Sequence, residues 1–125
     1  MDRNILWVGL GGLIGSVARY LVAVLFAGQF TSSFPLATFT VNIVGCFVIG
    51  ILFALSDRGN IISPEWRMFL ATGFCGGFTT FSAFSYESVK LIQDGDFLYL
   101  GLYIALSVIV GLAATCLGIV LVRSI

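Results

Sequence analysis

Four long apolar stretches alternate with short polar segments along the 125 residues. The apolar stretches cover positions of about 5–27, 36–55, 65–92 and 97–122. A helix needs roughly 20 predominantly apolar residues to cross a bilayer, so the pattern predicts four transmembrane helices. An even number of spans leaves both termini on the same side of the membrane.

The polar segments between the spans carry the residues that typically end and start helices. They lie at positions 28–35, 56–60 and 93–96. Ser63 and Pro64 follow the second segment, and a proline at the first helical position is a common helix start. These turns are too short to hold a separate soluble module, so we expect residues 1–125 to form a single transmembrane domain.

The third apolar stretch differs from an ordinary membrane helix at positions 73–85. Its sequence there is GFCGGFTTFSAFS, which combines three glycines, a pair of threonines and spaced phenylalanines. Lipid offers no hydrogen-bond partners to irregular backbone, so such a segment is tolerated at bilayer depth where protein or a polar cavity surrounds it. The third span is therefore predicted to be two half-helices joined by a break near positions 76–80.

The composition places the chain among integral membrane proteins. Hydrophobic residues make up 59% of the sequence, charged residues 10%, and the mean hydropathy is +1.10. No histidine is present, which excludes histidine-based proton relays and catalysis. The three cysteines, Cys46, Cys75 and Cys116, lie in apolar stretches without metal-type spacing and are predicted to be small buried side chains.

Small residues recur four positions apart in the first and last spans. The pairs are Gly11 with Gly15, Gly101 with Ala105, and Ala114 with Gly118. Such pairs let membrane helices approach closely, which predicts a compact bundle that associates with itself.

Arg19 lies inside the first span, where a charge facing lipid at the helix centre would cost about 2.5–3.5 kcal/mol on insertion scales. Its guanidinium either extends to the nearby interface or lies in an aqueous vestibule, where it would attract anions. The other arginines collect mainly on the side of the termini, which weakly favours cytoplasmic termini.

Asn42 is a second polar residue well inside an apolar span. Thr38, four residues earlier, shares its helical face. The Asn42 amide could bond a neighbouring helix, or it could donate to a desolvated anion. We favour the second interpretation.

The second half of the third span carries two parallel stripes of side chains. Phe81 and Phe84 are three residues apart, as are Ser82 and Ser85. The edge of a phenyl ring is positive and can stabilise an anion without a strongly bound countercharge.

Carboxylates are absent from the middle of the first, second and fourth spans, and Glu87 lies toward the end of the third. Proton-coupled exporters generally need an intramembrane acid as their switch. The pattern therefore favours a passive path for an anion.

These motifs together resemble the Fluc/CrcB family of bacterial fluoride channels. The resemblance rests on the T-x-T-V-N-x-x-G segment at 38–45 and the GGxTTFSxFS core, and it extends over essentially the whole chain. It implies a homodimer of two oppositely inserted subunits in the inner membrane, with two antiparallel pores at the dimer interface. Fluoride would leave the cytoplasm passively, without an organic cofactor. The expected partners are fluoride, a second copy of the chain and membrane lipid, with no nucleic acid.

The resemblance also implies residue roles. A structural Na⁺ on the dimer axis would be held by the backbone carbonyls of Gly76 and Thr79. Arg19 would line an entry vestibule, and Glu87 would lie near the end of the pore. The pore itself would be lined by Thr38, Asn42, Thr80, Phe81, Ser82, Phe84, Ser85 and Tyr103.

Two departures from the family pattern stand out. Ala83 replaces a hydroxyl residue found in many relatives, which would thin the polar lining, and the arginines are distributed less evenly than dual insertion suggests.

Three other functions fit a short membrane protein. A small dual-topology proton-coupled multidrug exporter is similar in length, but it relies on a glutamate in the first span, where this chain has Arg19. A membrane lipid kinase would need clustered acids and a phosphate-binding loop, and GFCGGFTT lacks the Gly-Lys-Ser/Thr ending. A purely structural subunit would show no flux when reconstituted alone.

Overall fold

The computed structural model describes residues 3–28, 33–59 and 61–125, which form helices joined by short turns. The first two helices are α1 (Asn4–Phe26) and α2 (Leu36–Asp57), and the last is α5 (Phe97–Arg123). Within the described ranges these three helices are long and apolar enough to cross a membrane. The protein is thus a multi-pass, all-helical membrane protein, as the apolar pattern predicts.

The third span is interrupted, and this prediction is also confirmed. Its first half, α3, covers residues 64–78 in three consecutive segments: Pro64–Arg67, the π-helix Met68–Cys75, and Gly76–Phe78. Its second half, α4, is Phe81–Gln93. Thr79 and Thr80 between them have extended backbone, so the break lies within the predicted 76–80. The π-helical winding of α3 is not part of the prediction.

Helix α1 packs against α3 through glycines. A Cβ atom at Gly11 would collide with the carbonyl oxygen of Phe69, and one at Gly15 with that of Phe74. The two backbones therefore touch, which only residues without a side chain allow. The predicted close approach along this face of α1 is confirmed.

Helix α2 packs mainly against α5, again at close range. A Cβ at Gly118 would meet the Phe47 carbonyl, and the Thr115 hydroxyl donates to the Cys46 carbonyl at 3.1 Å. Gly101 has no other atom within 4 Å of a Cβ built on it. The close approach predicted at Gly101 therefore does not occur within the protomer.

The ends of α2 and α5 are tied together on the side of the C-terminus. Arg58 donates from Nη1 to the Val122 carbonyl at 3.0 Å and from Nη2 to the Ile125 carbonyl at 3.3 Å. The Val122 carbonyl also accepts the Ile125 N–H at 3.2 Å, and the guanidinium adds a favourable positive charge at the C-terminus of α5. Of the predicted turn segments, positions 29–32 and Asn60 lie outside the described residues.

The cysteines are free and differ in burial. Cys75 is buried and Cys46 is half-buried, but Cys116 is exposed on α5. The prediction of a buried side chain is wrong for Cys116, because an apolar stretch does not distinguish a face turned to lipid from one turned to protein.

Candidate functional site

An open groove of about 460 Å³ lies beside the break in the third span. Helices α2, α3, α4 and α5 all contribute to its walls. Its lining residues include Asn42, Gly76, Thr79, Thr80, Phe81, Phe84 and Ser107. Among the residues that the structure describes, no charged side chain lines the groove, and its polar groups include amide, hydroxyl and backbone atoms.

Asn42 holds the break through two hydrogen bonds to a single residue. The Thr80 backbone N–H donates to Asn42 Oδ1 at 2.8 Å, and Asn42 Nδ2 donates to the Thr80 carbonyl at 3.2 Å. An interrupted helix leaves such groups unpaired, and unpaired backbone groups are costly in a membrane. The amide is thus bonded to a neighbouring segment, and Nδ2 keeps a second N–H that bonds no described residue.

The same contacts leave carbonyl oxygens free at the break. In a continuous helix the Thr80 N–H would donate to the Gly76 carbonyl, but here it donates to Asn42. The Thr79 N–H and hydroxyl both donate to the Cys75 carbonyl, at 2.9 and 2.8 Å. Within the described ranges, the Gly76 and Thr79 carbonyls accept no hydrogen bond, and both residues border the groove.

Arg19 reaches from α1 to the end of α3. Its Nε donates to the Gly77 carbonyl at 3.0 Å, and the side chain is half-buried. A cation near the last carbonyls of a helix is favourable, because these carry the negative end of the helix dipole. The guanidinium is thus held by protein on at least one side.

Three aromatic rings follow one another from the groove toward the far end of α4. The centroids of Phe81 and Phe84 are 5.8 Å apart, with the ring planes inclined by 40°, and those of Phe84 and Tyr103 are 4.9 Å apart at 50°. Phe81 is 79% exposed in the protomer, whereas Tyr103 is fully buried. Tilted rings present positive edges as well as faces to a neighbouring ion.

The hydroxyl residues of the motif have different positions. Thr80 caps α4, because its Oγ1 accepts from the Ala83 N–H at 3.1 Å, and it is 3.2 Å from Ser82 Oγ. Ser85 lies one turn further along α4 and is exposed. At Ala83 the backbone N–H contributes to the cap, although the side chain has no hydroxyl.

Glu87 joins two other residues predicted for the pore, Thr38 and Tyr103, into one cluster. Thr38 Oγ1 donates to its Oε2 at 3.0 Å, and Tyr103 Oη donates to its Oε1 at 3.0 Å. Each carboxylate oxygen thus accepts a hydroxyl, which compensates a charge at membrane depth. Glu87 lies three residues after Phe84, so the cluster continues the row of rings along α4.

Ser107 is a candidate residue that the sequence reasoning does not identify. It lines the groove from α5, and its buried hydroxyl has no hydrogen-bond partner in the described part of the chain. Buried hydroxyls are normally paired, so this one is available to an ion in the groove. Its spacing of four residues from Tyr103 places both on one face of α5, a signal that the sequence contains.

Comparisons with known proteins agree on one family. The model of the family described as CrcB-like protein, Camphor Resistance (CrcB), matches residues 6–119. Among relatives named "Fluoride-specific ion channel FluC", that of Chlorobium luteolum is 50% identical over 117 residues, covering 94% of this chain and 90% of the relative. That of Chlorobium chlorochromatii is 52% identical over 120 residues, with coverages of 96% and 92%. That of Flavobacterium psychrophilum is 44% identical over 123 residues, with coverages of 98% and 99%.

Proposed function

The chain belongs to the CrcB family, and from this premise we propose that it is a fluoride-selective channel of the bacterial inner membrane. Fluoride leaves the cytoplasm by passive electrodiffusion, so the protein is an ion channel and not an enzyme. The observation that carries the proposal is the groove at the helix break, whose polar lining consists of neutral donors and carbonyls beside aromatic rings. A groove without a fixed countercharge attracts an anion without trapping it.

Selectivity follows from the size and hydration of the ion. Fluoride is small and strongly hydrated, so its path has to replace water with several compact donors. The free N–H of Asn42, the unpaired hydroxyl of Ser107 and the hydroxyls of Thr80, Ser82 and Ser85 are such donors. The edges of Phe81 and Phe84 supply further positive potential. Larger halides gain less from donors placed this closely.

The channel works as a homodimer of oppositely inserted subunits, with one pore on each side of the shared interface. The openness of the site in one protomer supports this, because Phe81 is 79% exposed and Gly76 is also exposed. A second copy packed against this face would enclose the groove. Isologous pairing places the two breaks together on the twofold axis. The remaining apolar surface contacts membrane lipid.

A structural Na⁺ fits at the meeting point of the two breaks. The Gly76 and Thr79 carbonyls are without hydrogen bonds within the described residues, and a hard cation prefers oxygen ligands. Both carbonyls from each subunit would hold the ion. When bound, the cation supplies positive charge that offsets the repulsion between the facing carbonyl oxygens. Asn42 prepares the site by withdrawing the Thr80 N–H from Gly76.

Sodium removal tests this site separately from the pore. Purified protein moved into sodium-free buffer with an organic cation is expected to lose dimer thermal stability and fluoride flux together. Adding back sodium should restore both. If dimer stability and flux are the same with and without sodium, the carbonyls have another role.

Fluoride efflux from proteoliposomes tests the central proposal. Liposomes loaded with potassium fluoride are diluted into fluoride-free buffer. A potassium ionophore lets potassium leave together with fluoride, so that no opposing membrane voltage builds up, and a fluoride electrode follows the efflux. Rapid fluoride efflux with no chloride efflux is expected. Equal flux of both ions would contradict selectivity, and no fluoride flux would contradict the channel. Proton-driven efflux of organic cations would instead favour the multidrug exporter. The family assignment does not favour that function.

A further inference from the structure

A second cavity, of about 360 Å³, lies beyond Glu87 at the far end of α4. It is lined by Ser33, Pro35, Glu87, Lys90, Leu91 and Asp94. Glu87 therefore borders it on one side, while the hydroxyls of Thr38 and Tyr103 hold the carboxylate on the other. The groove, the aromatic rings and the Glu87 cluster thus follow one another along α4, and the cavity comes next after Glu87.

Among the described residues, all but one of the charged residues near this cavity are negative and therefore repel an anion. Glu87, Asp94 and Asp96 are acidic, and Lys90 is the cation that borders the cavity among the described residues. Lys90 forms no ion pair within 4 Å in the described ranges, although Asp94 lies one turn later on the same face. Its ammonium is therefore not neutralised by a close contact.

We propose that the cavity beyond Glu87 is a mouth of the pore, and that Lys90 makes this mouth passable to an anion by offsetting the surrounding carboxylates. The inference rests on the proposed fluoride channel and extends it to this residue. Lys90 is three residues, or about 4.5 Å of helix rise, beyond Glu87, which puts its charge near an ion that leaves or enters the cluster. In water a unit charge at about 8 Å changes the local concentration of an ion two- to threefold.

Lys90 could instead serve only to stabilise α4, since it lies in the last turn of that helix. Ionic strength separates the two roles. Mobile ions screen a charge at a water-filled mouth, with a Debye length of about 30 Å at 0.01 M and 8 Å at 0.15 M salt. A loss of helix stability would lower the number of active channels and leave the current through each remaining channel unchanged at every salt concentration.

The test is the fluoride current through single channels in planar bilayers, with an impermeant salt setting the ionic strength. Lys90→Gln should carry about two- to threefold less current than the parent protein at about 0.01 M, and nearly the same current at about 0.3 M. Lys90→Arg should retain the parent current. Asp94→Asn, which removes an acid from the same cavity, should raise the current at low salt. Arg123→Gln, a cation in the last turn of α5, serves as the matched control and should change nothing.

Chemical modification can change the charge at position 90 within one protein, so the currents before and after modification are compared in the same variant. Lys90→Cys channels treated with a cationic methanethiosulfonate should gain current at low salt, and an anionic reagent should reduce it. Parent protein, with its own three cysteines, receives the same reagents as the control. Equal low-salt currents for Lys90→Gln and the parent, or a deficit that persists at high salt, would overturn the role of Lys90. A parent protein without fluoride current would overturn the proposed function itself.

Discussion

The two halves of the interrupted span are held in place by different kinds of contact. Helix α3 lies against α1 with its backbone in direct contact at Gly11 and Gly15, and it is wound partly as a π-helix. Helix α4 has a more polar sequence and is fixed by hydrogen bonds at Thr80 and Glu87. Close backbone packing thus positions α3, which carries the Gly76 carbonyl. Hydrogen bonding positions α4, which carries the rings of Phe81 and Phe84.

This difference is what the proposed function requires. In the proposed sodium site the Gly76 carbonyls would be held against repulsion between like dipoles, and close backbone packing is rigid. Phe81 of α4 faces open space in the protomer, so it is not held by burial. Hydrogen bonds at the start of α4 and at Glu87 in its middle hold the helix while Phe81 stays exposed.

The largest expected effect comes from breaking the shape-based contact. In Gly15→Val the new side chain would collide with the Phe74 carbonyl, so α1 and α3 have to separate. We expect a loss of about 3 kcal/mol or more of stability, because backbone at a close contact cannot move aside. The measurement is the yield of monodisperse protein in detergent. Gly9→Val, where no atom lies within 4 Å, is the control, and equal yields would contradict the packing.

Asn42→Asp is expected to remove conduction while the protein stays folded. The carboxylate keeps the shape of the amide but cannot donate to the Thr80 carbonyl, and it places a negative charge in the groove. A loss of about 3 kcal/mol of ion stabilisation corresponds to a flux at least ~100-fold lower. Efflux from proteoliposomes measures it. Asn4→Asp makes the same chemical change away from the break and should leave flux intact, and retained flux in Asn42→Asp would refute this role.

Phe81→Ile is expected to lower fluoride flux by about fivefold or more, since the positive ring edge is worth ~1 kcal/mol or more. Stability should change little within the protomer, because this side chain is largely exposed. Efflux and size-exclusion chromatography on the same preparation separate the two effects. Phe97→Ile, at the exposed start of α5, is the matched control. Unchanged flux in both Phe81→Ile and Asn42→Asp would count heavily against the pore assignment.

The smallest expected effect concerns the cap of α4. Thr80→Ala removes the acceptor for the Ala83 N–H and should cost about 1 kcal/mol locally. Hydrogen exchange should therefore quicken in the first turn of α4 by about fivefold and remain unchanged in α3. Faster exchange in both halves would show that they are not held independently.

The sequence predicts the broad architecture of this protein well. The lengths of the apolar stretches give the spans, and glycines next to threonines give the break, because both follow from the rules of hydrogen bonding in lipid. The close packing at Gly11 and Gly15 follows from their spacing. The family itself is evident from the motif around the break.

The contacts that organise the site could not be predicted in the same way. Asn42 and Thr80 are 38 residues apart, and Thr38 and Glu87 are 49 apart, so their pairing depends on how the helices pack. Periodicity cannot distinguish lipid-facing from protein-facing positions on a wholly apolar helix, which is why the burial predicted for Cys116 is wrong and Gly101 makes no close contact within the protomer. The roles of the individual pore and sodium-site residues stay predictions.

The wide winding of Met68–Cys75 would make the spacing along this stretch part of the proposed sodium site. A π-helical turn accommodates a residue that an α-helical turn would not, and successive α-helical residues are rotated by about 100° around the axis. Deleting one residue there could relax the stretch to an ordinary helix and still preserve its apolar character. The Gly76 oxygen would then face a different direction, so this stretch tolerates exchanges of side chains far better than changes in its length.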